Sequence, residues 1–142
     1  MIDQDIVLIL PLITAIGTAI AVLVIDLILP GRQNLAIVVA LIGLSVVSVA
    51  TLYANQTPGD AYGGAYRVDA LTTFLDLLFV SIVAFTMAFA PDYLEERGLP
   101  VPEFAALLVF AMSGAMLLAA SGDLLILFLG LELMVLPGYV LA

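Results

Sequence analysis

Five stretches of the chain are apolar almost throughout, and each is bounded by a short polar or Pro/Gly-containing connection. They cover roughly residues 6–29, 35–54, 68–90, 103–120 and 124–142. About 20 apolar residues in a helix, at ~1.5 Å rise each, cross the hydrocarbon of a bilayer. None of the five shows the strict alternation of a barrel strand, so all are predicted to be helices whose backbone groups bond internally. Pro30-Gly31 closes the first run, "NQTPGD" and "GGAYR" follow the second, Pro91 is expected to end the third, and "RGLPVP" precedes the fourth. These are stop signals of the usual kind. The connections are short, so neighbouring helices should run antiparallel.

Composition agrees with this pattern. Hydrophobic residues make up 65% of the 142-residue chain and charged residues only 11%, too few to cover a water-soluble surface. The expected fold class is an all-α integral membrane protein in one membrane domain. The start "MIDQDI" carries Asp3 and Asp5 and no positive charge, so the first run reads as a retained span, not a secretory signal. The chain lacks cysteine and histidine, which excludes disulfides, thiolate metal sites and the commonest proton shuttle. It also lacks lysine: its basic residues are Arg32, Arg67 and Arg97, and its net charge is −9. No nucleic-acid partner is expected from such a balance. Arg32 and Arg97 fall on one side of the membrane and Arg67 on the other. That bias places the N-terminus on the outer side of a cell inner (plasma) membrane.

Small residues mark expected helix contacts. Ala111, Ala115 and Ala119 recur four apart in the fourth run with Gly114 beside them, and Gly17 and Ala21 are spaced likewise in the first.

The acids inside the apolar runs carry the candidate chemistry. Glu132 stands in "FLGLELMVLPGYVLA", about 14 Å into its helix if that helix starts near Asp123. An ionised carboxylate at that depth costs at least ~2.5–3.5 kcal/mol. A carboxyl group escapes the cost by holding a proton, and its charge state then answers to a neighbouring charge. Leu125 and Tyr139 share its helix face, and Pro137 cannot donate to the carbonyl of Leu133, which loosens the turn after the acid. Asp76 lies in the third run at lesser depth and is the second candidate. Asp26, at the end of the first helix, is expected to pair with Arg32 or Arg97. Asp123 and Glu103 are expected to cap helices, and "DYLEERG" reads as a solvated loop. A titratable acid moves no proton by itself. A cationic partner is needed, and the absence of lysine means that it comes from elsewhere.

The second half of the chain resembles a known family. "EFAALLVFAMSGAMLLAASGDLLILFLGLELMVLPGYVLA" is similar to subunit N of the proton-pumping NADH:quinone oxidoreductase, respiratory complex I. The family pattern is an E-[FY]-[FY]-x-L start, a small-residue helix ending in "LLA", a turn with Asp or Asn, then "LFLGLEL", "LP" and "YVL". Here these fall at Glu103-Phe104, Leu117-Leu118-Ala119, Asp123, residues 127–133, Leu136-Pro137 and Tyr139 to Leu141. "RVDALTTF", residues 67–74, resembles the family's entry to its third helix.

The resemblance implies a partial antiporter-like subunit fold, part of a longer chain of about fourteen helices. It implies that Glu132 occupies the glutamate of a proton path that works with lysines beyond Ala142. It implies other membrane subunits of complex I and the lipid bilayer as partners, and no cofactor in this chain: NADH, FMN, iron–sulfur clusters and quinone belong to other subunits. On that basis the chain is an N-terminal fragment or truncated product with no catalysis of its own, in an enzyme that couples electron transfer from NADH to quinone to proton translocation. A subunit of a multisubunit sodium/proton antiporter or membrane-bound hydrogenase is the runner-up. A structural membrane scaffold, with Glu132 a packing hydrogen bond, is the third reading.

Overall fold

A computed structural model describes residues 2–142. Five long helices run alternately up and down: α1 (Ile2–Ile28), α2 (Gln33–Ala54), α3 (Ala70–Glu96), α4 (Val101–Ala119) and α5 (Leu124–Leu141). All five are long and apolar enough to cross a membrane. The fold is all-α apart from a small hairpin between α2 and α3, and the chain is a multi-pass membrane protein.

The hairpin pairs β1 (Gly59–Ala61) with β2 (Tyr66–Val68), antiparallel, across a short 3-10 turn at Tyr62–Gly64. It lies at the end of the bundle that holds the start of α1, the end of α2, the start of α3 and the α4–α5 turn. Two backbone bonds tie it to that turn: Arg67 N–H donates to the Ala120 carbonyl at 2.8 Å, and Gly122 N–H donates to the Ala65 carbonyl at 2.8 Å. A Cβ on Gly122 would collide with the Gly64 carbonyl oxygen, so only glycine fits there. Ala61, Tyr66, Val68 and Ala120 bury themselves against Leu8, Leu12 and Ala54, and so seal that end of the bundle.

Helix α4 is the hub. It packs against α1, α2, α3 and α5. Half of its apolar window is buried, against 11% for α5, which leans chiefly on α4. The sequence explains this. Ala105, Ala106, Ser113 and Gly114 are small enough to let backbones close in from several sides, and the buried Ser113 hydroxyl satisfies itself on the Val109 carbonyl at 2.9 Å. At the α4–α5 crossing the two backbones nearly touch. A Cβ on Gly114 would meet the Met134 amide nitrogen and lie 2.7 Å from the Leu133 carbonyl carbon. A Cβ on Gly130 would lie 2.7 Å from the Leu118 nitrogen. Without a hydrophobic drive between helices in lipid, such contacts supply the adhesion.

The expected role of Gly17 is not what the structure shows. Gly17 is exposed and nothing lies within 4 Å of its Cβ position. The α1–α2 contact uses the next residue instead: Thr18 fills the space over Gly43, where a Cβ would collide with the threonine side chain.

Three sequence readings are corrected. Pro91 does not end α3, which runs on to Glu96. Proline fixes a helical φ and forfeits one bond, which a helix can tolerate. The real stop is Gly98 at φ 67°, where Gly98 N–H donates to Glu95 (3.1 Å) and Leu99 N–H to Leu94 (2.9 Å) in a Schellman motif. "DYLEERG" is therefore mostly the last turns of a helix. Glu103 is not a cap either: α4 begins at Val101 after Pro100, and Glu103 sits inside its first turn.

Gly114→Ala is expected to destabilise the protein by about 1–3 kcal/mol, because a backbone cannot yield as a side chain can. Chemical denaturation in detergent micelles would read this, with Gly17→Ala as a near-neutral comparison.

Candidate functional site

Asp76 is the most buried acid. It projects from the second turn of α3, about 10 Å past the capping residue, and is 3% exposed. Its Oδ1 has no hydrogen-bond partner among the described residues. Residues 72, 73, 76, 80, 83 and 87 form the inward stripe of α3, so the same periodicity that buries Val80, Val83 and Met87 also buries this carboxyl.

The entry to α3 is polar. Asp69 caps the helix: its Oδ1 accepts from the Thr72 N–H at 2.8 Å and from the Thr72 hydroxyl at 2.9 Å. Those two bonds, the backbone one first, hold the exposed Asp69 carboxyl below the usual carboxylate range. The Thr73 hydroxyl reaches the Asn55 Oδ1 and the Asp69 carbonyl, each at 3.0 Å. Thr72 and Thr73 are both buried. From the hairpin comes Tyr66, 2% exposed. Burial first, and the nearby Asp76 carboxyl second, push its phenol well above the ordinary tyrosine value, so it stays a neutral O–H.

Glu132 lies on α5, about 14 Å past its Asp123 start, and is half-buried. Asp123 caps α5 as expected, accepting from Ile126 N–H at 2.8 Å. Glu132 makes no side-chain hydrogen bond or ion pair among the described residues. Leu125 (66% exposed) and Tyr139 (75%) share its face, which is open above and below the acid. Pro137 is buried within an α5 that continues to Leu141.

The two acids enter from the same end of the bundle, but α3 and α5 each pack on α4 and have little contact with each other. Between them is an apolar cleft of about 150 Å³ lined by Phe79, Ile82, Val83, Ala111, Ala115 and Met134, among others. No group of three or more metal-ligating side chains occurs among the described residues. A larger concavity, about 590 Å³, lies at the opposite end beside Arg32, Gln33, Asn34 and Glu95, away from both acids.

Asp26 does not find the basic partner expected for it. The single ion pair among the described residues is Arg67 with Asp60, at 3.5 Å on the exposed hairpin. Arg97 instead stacks 4.7 Å above the Tyr93 ring one turn back. Asp26 is only half-buried at a helix end, where a carboxylate has less need of a counter-ion. Sequence reading missed the polar entry to α3 made by Asp69, Thr72 and Thr73, and the buried Tyr66 near Asp76. The signal was present in "DALTTFLD": a cap residue, hydroxyls three and four positions later, and an acid three and four positions beyond them.

Comparison with known proteins places this geometry. The chain is 36% identical over 126 residues, 88% of its length, to NADH-quinone oxidoreductase subunit N 2 of Roseiflexus castenholzii. It is 34% identical over 142 residues, 98% of its length, to subunit N 1 of Solibacter usitatus. It is 33% identical over 139 residues, 96% of its length, to subunit N of Chloroflexus aggregans. The chain is homologous to the NADH-quinone oxidoreductase subunit N family. It spans 25%, 29% and 28% of the length of these three subunit N relatives. Protein-family models give no match.

Asp69→Asn retains a capping oxygen but cannot titrate. Since the Asp69 carboxyl is held low in the folded state, its charge contributes stability above the ordinary carboxylate range and loses it as pH falls through the folded value. Wild type is therefore expected to lose stability relative to Asp69→Asn on acidification, with the two converging in sensitivity at neutral pH. Denaturation midpoints measured across that range check it.

Proposed function

We propose that the chain is part of a membrane subunit of NADH-quinone oxidoreductase. In this reading the subunit takes part in proton translocation coupled to electron transfer from NADH to quinone. Glu132 is its half-buried titratable acid and Asp76 a second proton-holding group. The observation that carries the proposal is a carboxyl group held half-buried about 14 Å into α5, inside "LFLGLEL", on a helix face that is open at Leu125 and Tyr139. Intramembrane acids on such faces mark ion and proton paths far more often than they serve packing.

The chemistry asked of Glu132 is proton uptake and release under the control of a nearby charge. The cation that exerts this control comes from outside these residues. There is no lysine, and Arg32, Arg67 and Arg97 all lie at helix ends or in the hairpin. Other membrane subunits of the complex supply the rest of the path and cover the exposed apolar surface not facing lipid. The membrane is the cell inner (plasma) membrane, with the hairpin end and N-terminus on the outer side, as the arginine distribution favours.

Glu132→Gln keeps shape and hydrogen bonding but removes the titration. In the full-length subunit within its complex it should lower proton translocation at least about tenfold, and Glu132→Asp should retain part of it. Pumping and quinone reduction at wild-type rates in Glu132→Gln would remove Glu132 from the path.

A further inference from the structure

Asp76 poses a problem that Glu132 does not. Its Oδ1 is fully enclosed and has no partner among the described residues. An ionised carboxylate so placed is costly, whereas the protonated form brings its own O–H donor. As placed it bonds to no side chain, so an acceptor has to be reached by rotation of the carboxyl group. Thr72 and Thr73 stand four and three residues earlier on the same face, the spacing at which side chains on a helix meet. Both hydroxyls already donate away from Asp76. Their oxygen lone pairs are thus left for a donor coming from the Asp76 side.

The two threonines differ in what lies beyond them. The Thr73 hydroxyl ends on an amide oxygen of Asn55 and a backbone carbonyl, neither of which takes a proton. The Thr72 hydroxyl ends on the Asp69 carboxylate, which is exposed at the hairpin end of the bundle. Tyr66, on the hairpin, lies near Asp76 at that end, and the bonded Thr72–Asp69 pair stands on α3 one and two turns before it, with Thr72 facing Asp76 across a single turn.

We infer that Asp76 is a proton-storing carboxyl that exchanges with the aqueous phase at the hairpin end through the Thr72 hydroxyl and the Asp69 carboxylate. In the outward step the Asp76 O–H proton passes to the Thr72 oxygen while the Thr72 hydroxyl proton passes to Asp69 Oδ1. Asp76 is left ionised, Asp69 is neutral, and Asp69 then releases its proton to water. The inward step is the reverse, and rotation of the Thr72 hydroxyl resets the route. The inference rests on the proton-translocation reading for its purpose, but its test reads proton exchange and not pumping, so the two can fail separately.

The experiment is infrared difference spectroscopy on the full-length subunit in its complex, transferred from H₂O to D₂O. The carbonyl stretch of a protonated carboxyl that disappears in Asp76→Asn is the reporter. Its hydrogen–deuterium exchange should slow at least about tenfold in Thr72→Val and in Asp69→Asn. Thr72→Ser should restore it to within about twofold, and Thr73→Val should leave it unchanged. If Thr72→Val fails to assemble, Asp69→Asn, which retains the cap, carries the same comparison. Absence of an Asp76 band, wild-type exchange in Thr72→Val or Asp69→Asn, or equal slowing in Thr73→Val would each overturn the inference.

Discussion

The near-contact of the α4 and α5 backbones at Gly114 and Gly130 is the constraint on which the rest depends. In water, a helix with as little buried surface as α5 would be driven onto its neighbours by its apolar side chains. In lipid that drive is absent, because hydrocarbon solvates leucine as well as another leucine does. What remains is close packing, and the two glycines allow it where two alanines would collide. Glu132 lies two residues beyond Gly130 and two before Met134, so the crossing sets its depth and direction. The acid is held by a backbone contact and not by bonds of its own.

The hairpin end of the bundle is governed by a second constraint, that irregular backbone near a membrane needs partners for its N–H and C=O groups. The chain meets it by letting β2 pair on both sides: with β1 in the hairpin, and with the α4–α5 turn through Arg67, Ala120, Ala65 and Gly122. This links the entry of α3 to the entry of α5. Asp69 and Asp123 cap those two helices by the same bond, a carboxylate oxygen accepting an N–H three residues on at 2.8 Å in each case. The two helices that carry the buried acids therefore start from one tied platform.

The spanning pattern was legible because hydrocarbon imposes it residue by residue. Five apolar runs with Pro and Gly between them admit little else, and Asp123 announced itself as a cap by standing just before a run. Helix ends were less legible where proline was read as a wall. Pro91 sits comfortably inside α3, and Gly98 ends it because glycine alone takes φ 67° without strain. The hairpin was hidden because its strands are three residues each, too short for alternation to register. The Gly17 reading failed for a related reason. Small-residue spacing says that a face could close in, whereas the choice of face is tertiary, and α1 presents Thr18 to Gly43 instead. Asp76 ranked below Glu132 on sequence because its depth depended on where α3 began. The cap at Asp69 fixes that start, and the inward stripe of α3 then fixes the burial.

The placement of the two acids bears on how charge could be handled here. Asp76 and Glu132 are reached from the same end at comparable depths, yet the small-residue helix α4 and a cleft lined by Phe79, Ile82, Val83 and Met134 lie between them. That cleft is apolar, and a site without polar partners holds no ordered water. None of the residues that line it offers a polar side chain. Two carboxyls separated by dry packing can still interact by charge, since low-dielectric surroundings screen poorly. The arrangement thus favours electrostatic coupling over direct transfer.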